Sequence, residues 1–346
     1  DVRTMSRREF LRLSSASLLS LFAISPATYA YAKSAGLQSS TSNLGRIVSN
    51  KVEMYDSPSL DGKLVRTLWK DLVMEITSFA TGTGEPFHNP VWYQLDGQGF
   101  VHSGQVQNVR IDLNEANQSI PSTGVLAEVT VPFTDAIWHP ILKKVPAARL
   151  YYSTTYWVMG TLTDTQGETW YELLEDFYQF RYFVKPSHLR IIQPDEVAPI
   201  SPDVPAQEKR IEVRLNDQVV VVYEGDTQVQ VMRCSGGREY FNGYLTPTGS
   251  FTTNYKRPSR HMISGSPASG YGYDLPGVPW VSYFTEKGVS FHGTYWHNDF
   301  GLPRSHGCIN LPSEASKWIY RWTLPTVPYA DHKIIKPAGT RVEITL

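Results

Sequence analysis

Cysteine is nearly absent: the 346 residues hold two, Cys234 and Cys308. Two thiols cannot form a disulfide framework for a chain of this length, so stability has to come from packed cores. An excess of charge of either sign is also lacking. The net charge is −1, which leaves no basic field for nucleic acid, and no nucleic-acid partner is expected. Long apolar runs are missing as well. The stretch Leu13 to Ile24 is only mildly apolar, diluted by Ser14, Ser15, Ser17 and Ser20, and too short for a permanent span, so none is expected after processing. What is abundant is turn and strand chemistry. The chain has 25 Gly, 23 Pro, 20 Tyr, 14 Phe and 9 Trp, a mixture that favours short strands and turns over long helices and predicts a mainly β fold.

The N-terminus carries Ser6-Arg7-Arg8-Glu9-Phe10-Leu11, then the apolar stretch, then the small-residue site Ala30-Tyr31-Ala32. This resembles a twin-arginine export signal, and residues 1–32 are set aside from fold reasoning. The resemblance implies export to the cell envelope or wall. Residues 33–43, rich in Ser, Gly and Asn, read as a linker.

Strand-like segments begin at Leu44. Val91-Trp92-Tyr93-Gln94-Leu95 leads through a turn at Asp96-Gly97 into Gly99-Phe100-Val101. About eighty residues later Trp170-Tyr171-Glu172-Leu173 and Tyr182-Phe183-Val184 repeat the pattern, which points to an internal duplication. The two copies, 44–110 and 124–193, resemble bacterial Src-homology-3-type modules, small open β-barrels. That resemblance suggests binding of wall peptide, although Trp92 and Trp170 read better as core aromatics. Trp138 to Tyr152 looks like an insertion in the second copy. Residues 194–209 are rich in Pro and acidic residues and read as a semi-rigid spacer that holds the modules away from the C-terminal domain.

From Arg210 the pattern is strongly β. Ile211, Val213 and Leu215 alternate with charged residues, and Val219 to Tyr223 continues the sheet. Pro312 opens a helix in which Ala315, Trp318, Ile319 and Trp322 share one face. Residues 210–346 are therefore expected to form a β-sandwich with one packed helix.

Cys308 sits in Ser305-His306-Gly307-Cys308, downstream of His292-Gly293. A thiol needs a base or a positive field to become a useful nucleophile, and an imidazole can supply it. Backbone N–H groups of Gly307 and Cys308 could face a developing oxyanion. These residues, with the Thr246-Pro247-Thr248-Gly249 turn and the strand Arg341 to Leu346, resemble the L,D-transpeptidase catalytic domain of bacterial wall-remodelling enzymes. The resemblance implies a peptidoglycan tetrapeptide stem as donor. Cys308 would form a thioester and release D-alanine, and an amine of a neighbouring stem would complete a 3→3 cross-link. His292 would be base and acid, oriented by the Gly293 carbonyl. His306 and Ser305 would shape the turn, and Asn310 stands where many relatives carry Arg. No cofactor is required, and carbapenem-type β-lactams are expected to acylate Cys308.

The run Tyr271 to Phe284 reads as an aromatic lid or as a satellite hydrophobic cluster; as a lid, it would bring Tyr273, Trp280 and Tyr283 to the peptide. Three rivals stand beside the transpeptidase. One is a carboxypeptidase that uses water as acceptor. Another is a zinc site of His292, His297, His306 and Cys308. The third is a wall-binding protein without catalysis. Cys234 reads as a small buried residue rather than a disulfide partner of Cys308.

Overall fold

The computed structural model describes residues 43–239, 245–265 and 272–346. The export signal expected over 1–32, most of the linker expected over 33–43, and Tyr271 at the start of the expected lid lie outside the described residues. Among the described residues no helix is long and apolar enough to cross a membrane.

The first module contains β1 (Leu44–Ile47), β2 (Lys51–Tyr55), β3 (Leu64–Trp69), β4 (Val73–Thr81), β5 (Val91–Leu95), β6 (Gly99–His102) and β7 (Val106–Val109). The second contains β8 (Val125–Val129), β9 (Phe133–His139), β10 (Lys143–Tyr151), β11 (Thr155–Thr163), β12 (Thr169–Leu174), β13 (Arg181–Val184) and β14 (Leu189–Ile191). Their strand orders are β3-β2-β6-β5-β4-β1-β7 and β10-β9-β13-β12-β11-β8-β14. Counted from its own first strand, each module has the same order, which is the duplication in structural form.

In the first module the fourth strand changes partner along its length. Val73 to Glu75 pair with β1, and Ile76 to Thr81 pair with β5. Neither sheet closes, and each module is an open seven-stranded sheet around its own core. The segment read as an insertion, Trp138 to Tyr152, is mostly β10, the counterpart of β3. Trp92 and Trp170 occupy matching places in β5 and β12 and are buried core residues, as expected.

The C-terminal part is a sandwich of two five-stranded sheets. The first has the order β17-β16-β15-β24-β18: β15 (Lys209–Arg214), β16 (Val219–Glu224), β17 (Thr227–Arg233), β18 (Gly249–Thr252) and β24 (Arg341–Thr345). The second has the order β22-β21-β20-β19-β23: β19 (Tyr255–Ser264), β20 (Tyr273–Tyr283), β21 (Ser290–Gly293), β22 (Ile309–Leu311) and β23 (Ile334–Ile335). Helix α1 (Ser313–Trp322) follows β22. Ile211, Val213, Val220 and Val222 of one sheet meet Phe291, Ile309 and Leu311 of the other, with Ile319 and Trp322 of α1. Each such fully buried side chain contributes about 1.5–3 kcal/mol. Cys234 is buried in the same cluster, and both cysteines are free thiols.

The last carbonyls of α1 have no partner within the helix. Two buried lysines supply donors. Lys256 Nζ donates to Tyr320 O at 2.5 Å and Thr323 O at 2.6 Å. Lys209 Nζ donates to Trp322 O at 3.1 Å and Ile200 O at 3.0 Å.

The spacer does not hold the modules at a distance. Residues 194–209 are stitched to α1: Arg321 Nε donates to Ala198 O at 2.8 Å, and Lys317 pairs with Glu196. The second module packs on the sandwich through Leu126, Trp157 and Ile192 against Trp280, Tyr320 and Val327. Beside that cluster, His261 lies 2.5 Å from both Glu175 and Asp274. Burial alone would lower the His261 pKa, and the two carboxylates more than offset it, raising it above its ordinary value. The first module docks through Arg46 Nη2 to Tyr295 O at 2.6 Å and through Asn298 Nδ2 to Val106 O at 3.1 Å.

Candidate active site

Strand alternation sets the site. β21 and β22 pair in parallel, with Phe291 opposite Ile309 and His292 opposite Asn310. Phe291 and Ile309 point into the core. Ser290 and His292 therefore point to the other face of β21, as Asn310 does on β22, and Cys308 immediately precedes β22.

His292 is 3% exposed. Its Nδ1–H donates to the Gly293 carbonyl at 3.0 Å, which leaves Nε2 as the bare acceptor. Burial pushes its pKa down to about 4, against the opposing pull of that carbonyl. Among the described residues, the polar neighbours of Cys308 Sγ are Ser290 Oγ at 3.6 Å and Gly288 O at 3.8 Å. Burial raises the thiol above its ordinary value, and the Ser290 hydroxyl and N–H partly offset this. The resting pair is consequently neutral, thiol and imidazole, rather than thiolate and imidazolium. The expected pH profile for acylation has an acid limb near pH 4, falling about tenfold per unit below it as His292 gains its proton, and no inflection between pH 5 and 8. Stopped-flow acylation by a carbapenem across that range checks this. An inflection near 6.5–7 would instead indicate a preformed ion pair.

The turn before Cys308 is braced from within and without. Ser305 Oγ donates to Cys308 O at 2.5 Å and accepts from Gly307 N–H at 3.0 Å. The Gly307 amide, expected to face an oxyanion, is engaged by Ser305 Oγ in this structure. Gly307 has φ +115°, a conformation that favours glycine, and its carbonyl accepts from Thr246 Oγ1 at 2.8 Å. Ser235 to Arg238 clamp the same loop: Ser305 N–H donates to Gly236 O at 3.0 Å, and Arg238 N–H to Ser305 O at 2.9 Å.

Asn310 reaches His297, whose Nε2 lies 3.0 Å from the Asn310 side-chain amide. Asp299 N–H donates to His297 Nδ1 at 3.3 Å. Burial holds the His297 pKa down to about 3. Asp299 pairs in turn with Arg304 and, at 2.6 Å, with His88 of the first module. His306 is half-buried, its ring centroid 5.1 Å from that of Tyr273. Among the described residues no three His, Cys, Asp or Glu side chains are grouped to hold a metal ion.

The expected lid is β20, an interior strand of the second sheet. Trp280 is 1% exposed, its ring against Tyr320 in the cluster with Trp157. It is an interdomain packing residue and presents no face to a peptide. Tyr283 stacks on Tyr255 with centroids 4.7 Å apart. Burial holds its hydroxyl well above the usual range, and nearby Cys308 pushes the same way. Sequence reasoning missed Ser290, although its position two residues before His292 puts it on the same face of the strand. It also missed Thr246, Asp299 and His88, which only the tertiary fold assembles.

Residues 208–344 match the YkuD family, the L,D-transpeptidase catalytic domain. A protein of Bacillus subtilis, YciB, which carries the provisional name of L,D-transpeptidase, is 28% identical over 129 residues, or 34% of this chain. The chain spans 63% of the length of that curated relative. An L,D-transpeptidase structure from Mycobacterium smegmatis aligns at 20% identity and a TM-score of 0.34, over 49% of this chain and 74% of that one. An L,D-transpeptidase structure in complex with imipenem aligns at 16% identity and a TM-score of 0.33, over 67% and 97%.

Proposed function

We propose that this chain is an exported peptidoglycan L,D-transpeptidase that works through a Cys308 thioester. The observation that supports the reading is the His292 Nδ1–H bond to the Gly293 carbonyl, which leaves Nε2 as the ring's acceptor, on the strand whose Ser290 lies 3.6 Å from Cys308 Sγ. The match of residues 208–344 to the catalytic-domain family supports it. Attack of Sγ on the donor carbonyl forms the C–S bond while His292 takes the thiol proton. The tetrahedral oxyanion lies against the Cys308 N–H. Collapse breaks the C–N bond, and His292 returns its proton to the departing D-alanine amine. An amine of a second stem then attacks the thioester, His292 removes its proton, and Cys308 leaves as the thiol.

A β-lactam carbonyl would meet the same nucleophile and stay as a stable adduct. The two N-terminal modules, read as Src-homology-3-type domains, would hold the catalytic domain to the wall.

Intact-protein mass after incubation with a purified disaccharide tetrapeptide tests the reading, with products identified by mass spectrometry. The expected result is an adduct on Cys308 together with 3→3 dimers. Tripeptide as the sole product would replace the transpeptidase with a carboxypeptidase. Absence of any adduct, with binding to peptidoglycan retained, would leave a wall-binding protein.

A further inference from the structure

The segment between β4 and β5, residues 82–90, is longer than its counterpart between β11 and β12, residues 164–168. The shorter one closes on its own module: Asp164 accepts from Gln166 N–H at 2.9 Å and from Trp170 Nε1–H at 3.2 Å. The longer one reaches out. Its His88 enters the catalytic domain, where Nε2–H donates to Asp299 Oδ1 at 2.6 Å. We propose that His88 of the first module is a positioning residue of the transpeptidase site, acting through the Asp299 carboxylate to fix Arg304 and the nucleophile turn that follows it. The inference rests on the transpeptidase reading and makes the first module part of the working site rather than only a hold on the wall.

Three observations carry it. The first is the state of Asp299. Its side chain is 4% exposed and that of His88 14%, and its other oxygen pairs with Arg304. Burial alone would raise the Asp299 carboxyl; the His88 hydrogen bond and the Arg304 charge outweigh it and hold the group below the usual carboxylate range. The carboxylate is therefore ionised, and without one of its two donors it must admit water or move.

The second is what Asp299 holds. Arg304 directly precedes Ser305-His306-Gly307-Cys308, and the Arg304 and Ser305 N–H groups both donate to Gly236 O at 3.0 Å. Asp299 O accepts from Ser235 Oγ at 3.2 Å. Ser235 in turn exchanges both backbone bonds with Asn310, at 3.0 and 2.9 Å. Asp299 is thus tied to the chain on either side of Cys308: before it through Arg304, after it through Ser235 and Asn310.

The third is that His88 is itself held. Arg233 donates through its guanidinium to His88 O. The next residue, Asn89, donates through its side chain to Ser103 Oγ at 3.0 Å, and its carbonyl accepts from His102 Nε2–H at 2.7 Å. The two surfaces also meet closely: Asn298 N–H donates to Gly104 O at 3.1 Å, and a Cβ on Gly104 would sit 2.7 Å from Asp299 Cγ. A fixed donor faces a fixed carboxylate.

The test uses the full chain. Carbapenem acylation of Cys308, followed by stopped flow, is read as a limiting rate and a half-saturating concentration. A misplacement of about 1 Å can cost roughly 100-fold in rate, and His88→Ala, a partial misplacement, is expected to lower the limiting rate by roughly tenfold with little change in the half-saturating concentration. His88→Gln keeps an N–H donor where Nε2 stood and is expected to recover most of that loss. Thr155→Val is the control at the other interdomain contact, where Thr155 Oγ1 donates to Pro258 O at 2.7 Å; it should lower the melting temperature and leave the limiting rate alone. A second readout needs no chemistry. The chain has two cysteines, so ¹⁵N-cysteine labelling gives two amide signals, and Cys308→Ala identifies that of Cys308. This signal is expected to move in His88→Ala, to return toward its wild-type place in His88→Gln, and to stay in Thr155→Val. A purely structural contact would lower the melting temperature of His88→Ala and leave the limiting rate and the signal unmoved, which overturns the proposal. If the wild type itself is not acylated, the transpeptidase reading fails alone, and the Cys308 signal decides this proposal: displaced in His88→Ala it stands, unmoved it falls.

Discussion

His292→Gln is expected to slow acylation of Cys308 by two to four orders of magnitude, the usual contribution of a positioned general base. The neutral resting pair makes the loss this large. Burial keeps the thiol protonated at neutral pH, so the nucleophile depends on a base that removes its proton during attack. Glutamine fills the same space yet cannot accept that proton. It also keeps a donor for the Gly293 carbonyl, so the melting temperature should move little. Carbapenem acylation followed by stopped flow, with Cys308→Ala as the zero, measures the effect. A rate within fivefold of wild type would mean that another group deprotonates the thiol.

Lys256→Met is expected to destabilise the fold strongly. Lys256 is 1% exposed and caps two carbonyls at the end of α1. Burial, with Lys209 nearby, holds its pKa well below the usual lysine range, yet the amine remains the donor those carbonyls have. Methionine fills the space and donates nothing. Each orphaned buried carbonyl costs about 1–3 kcal/mol, so roughly 2–6 kcal/mol is expected. At about 2–4 °C per kcal/mol, the melting temperature should fall by roughly 4–24 °C. Lys51→Met, at a residue whose side chain is 58% exposed, serves as the control, expected within about 0.5 kcal/mol of wild type. Thermal melts that agree within a degree for the two variants would show that the caps contribute nothing.

The aromatic run before His292 shows how local signals can mislead. Pro276, Gly277 and Pro279 are loop signals in a sequence window. In the fold they sit inside β20, whose pairing with β19 skips at that point. Gly277 has φ +69°, and a Cβ there would meet the Tyr156 ring at 2.3 Å. The glycine serves an interdomain contact, and the neighbouring Trp280, at φ +59°, is turned into the same interface. Loop chemistry and close-approach chemistry use the same residues, so the local sequence could not separate them.

Local periodicity determined a good deal alone. The alternation from Arg210, the buried face of Ile319 and Trp322, and the matching Trp-Tyr segments of the two modules all come from side-chain spacing, because each depends on neighbours a few residues away. Cys308 and His292-Gly293 could be read together because both lie in one short stretch of chain. What only the tertiary structure decided are the relations across long separations. The Asp299–His88 pair joins residues 211 apart, and the Arg46–Tyr295 bond spans 249. The shifts that further favour the neutral thiol and imidazole come from burial that the whole fold imposes. The engaged Gly307 amide and the seating of His88 depend on segments brought together by packing. None of these leaves a periodic trace, because the groups that meet are set by docking rather than by spacing along the chain.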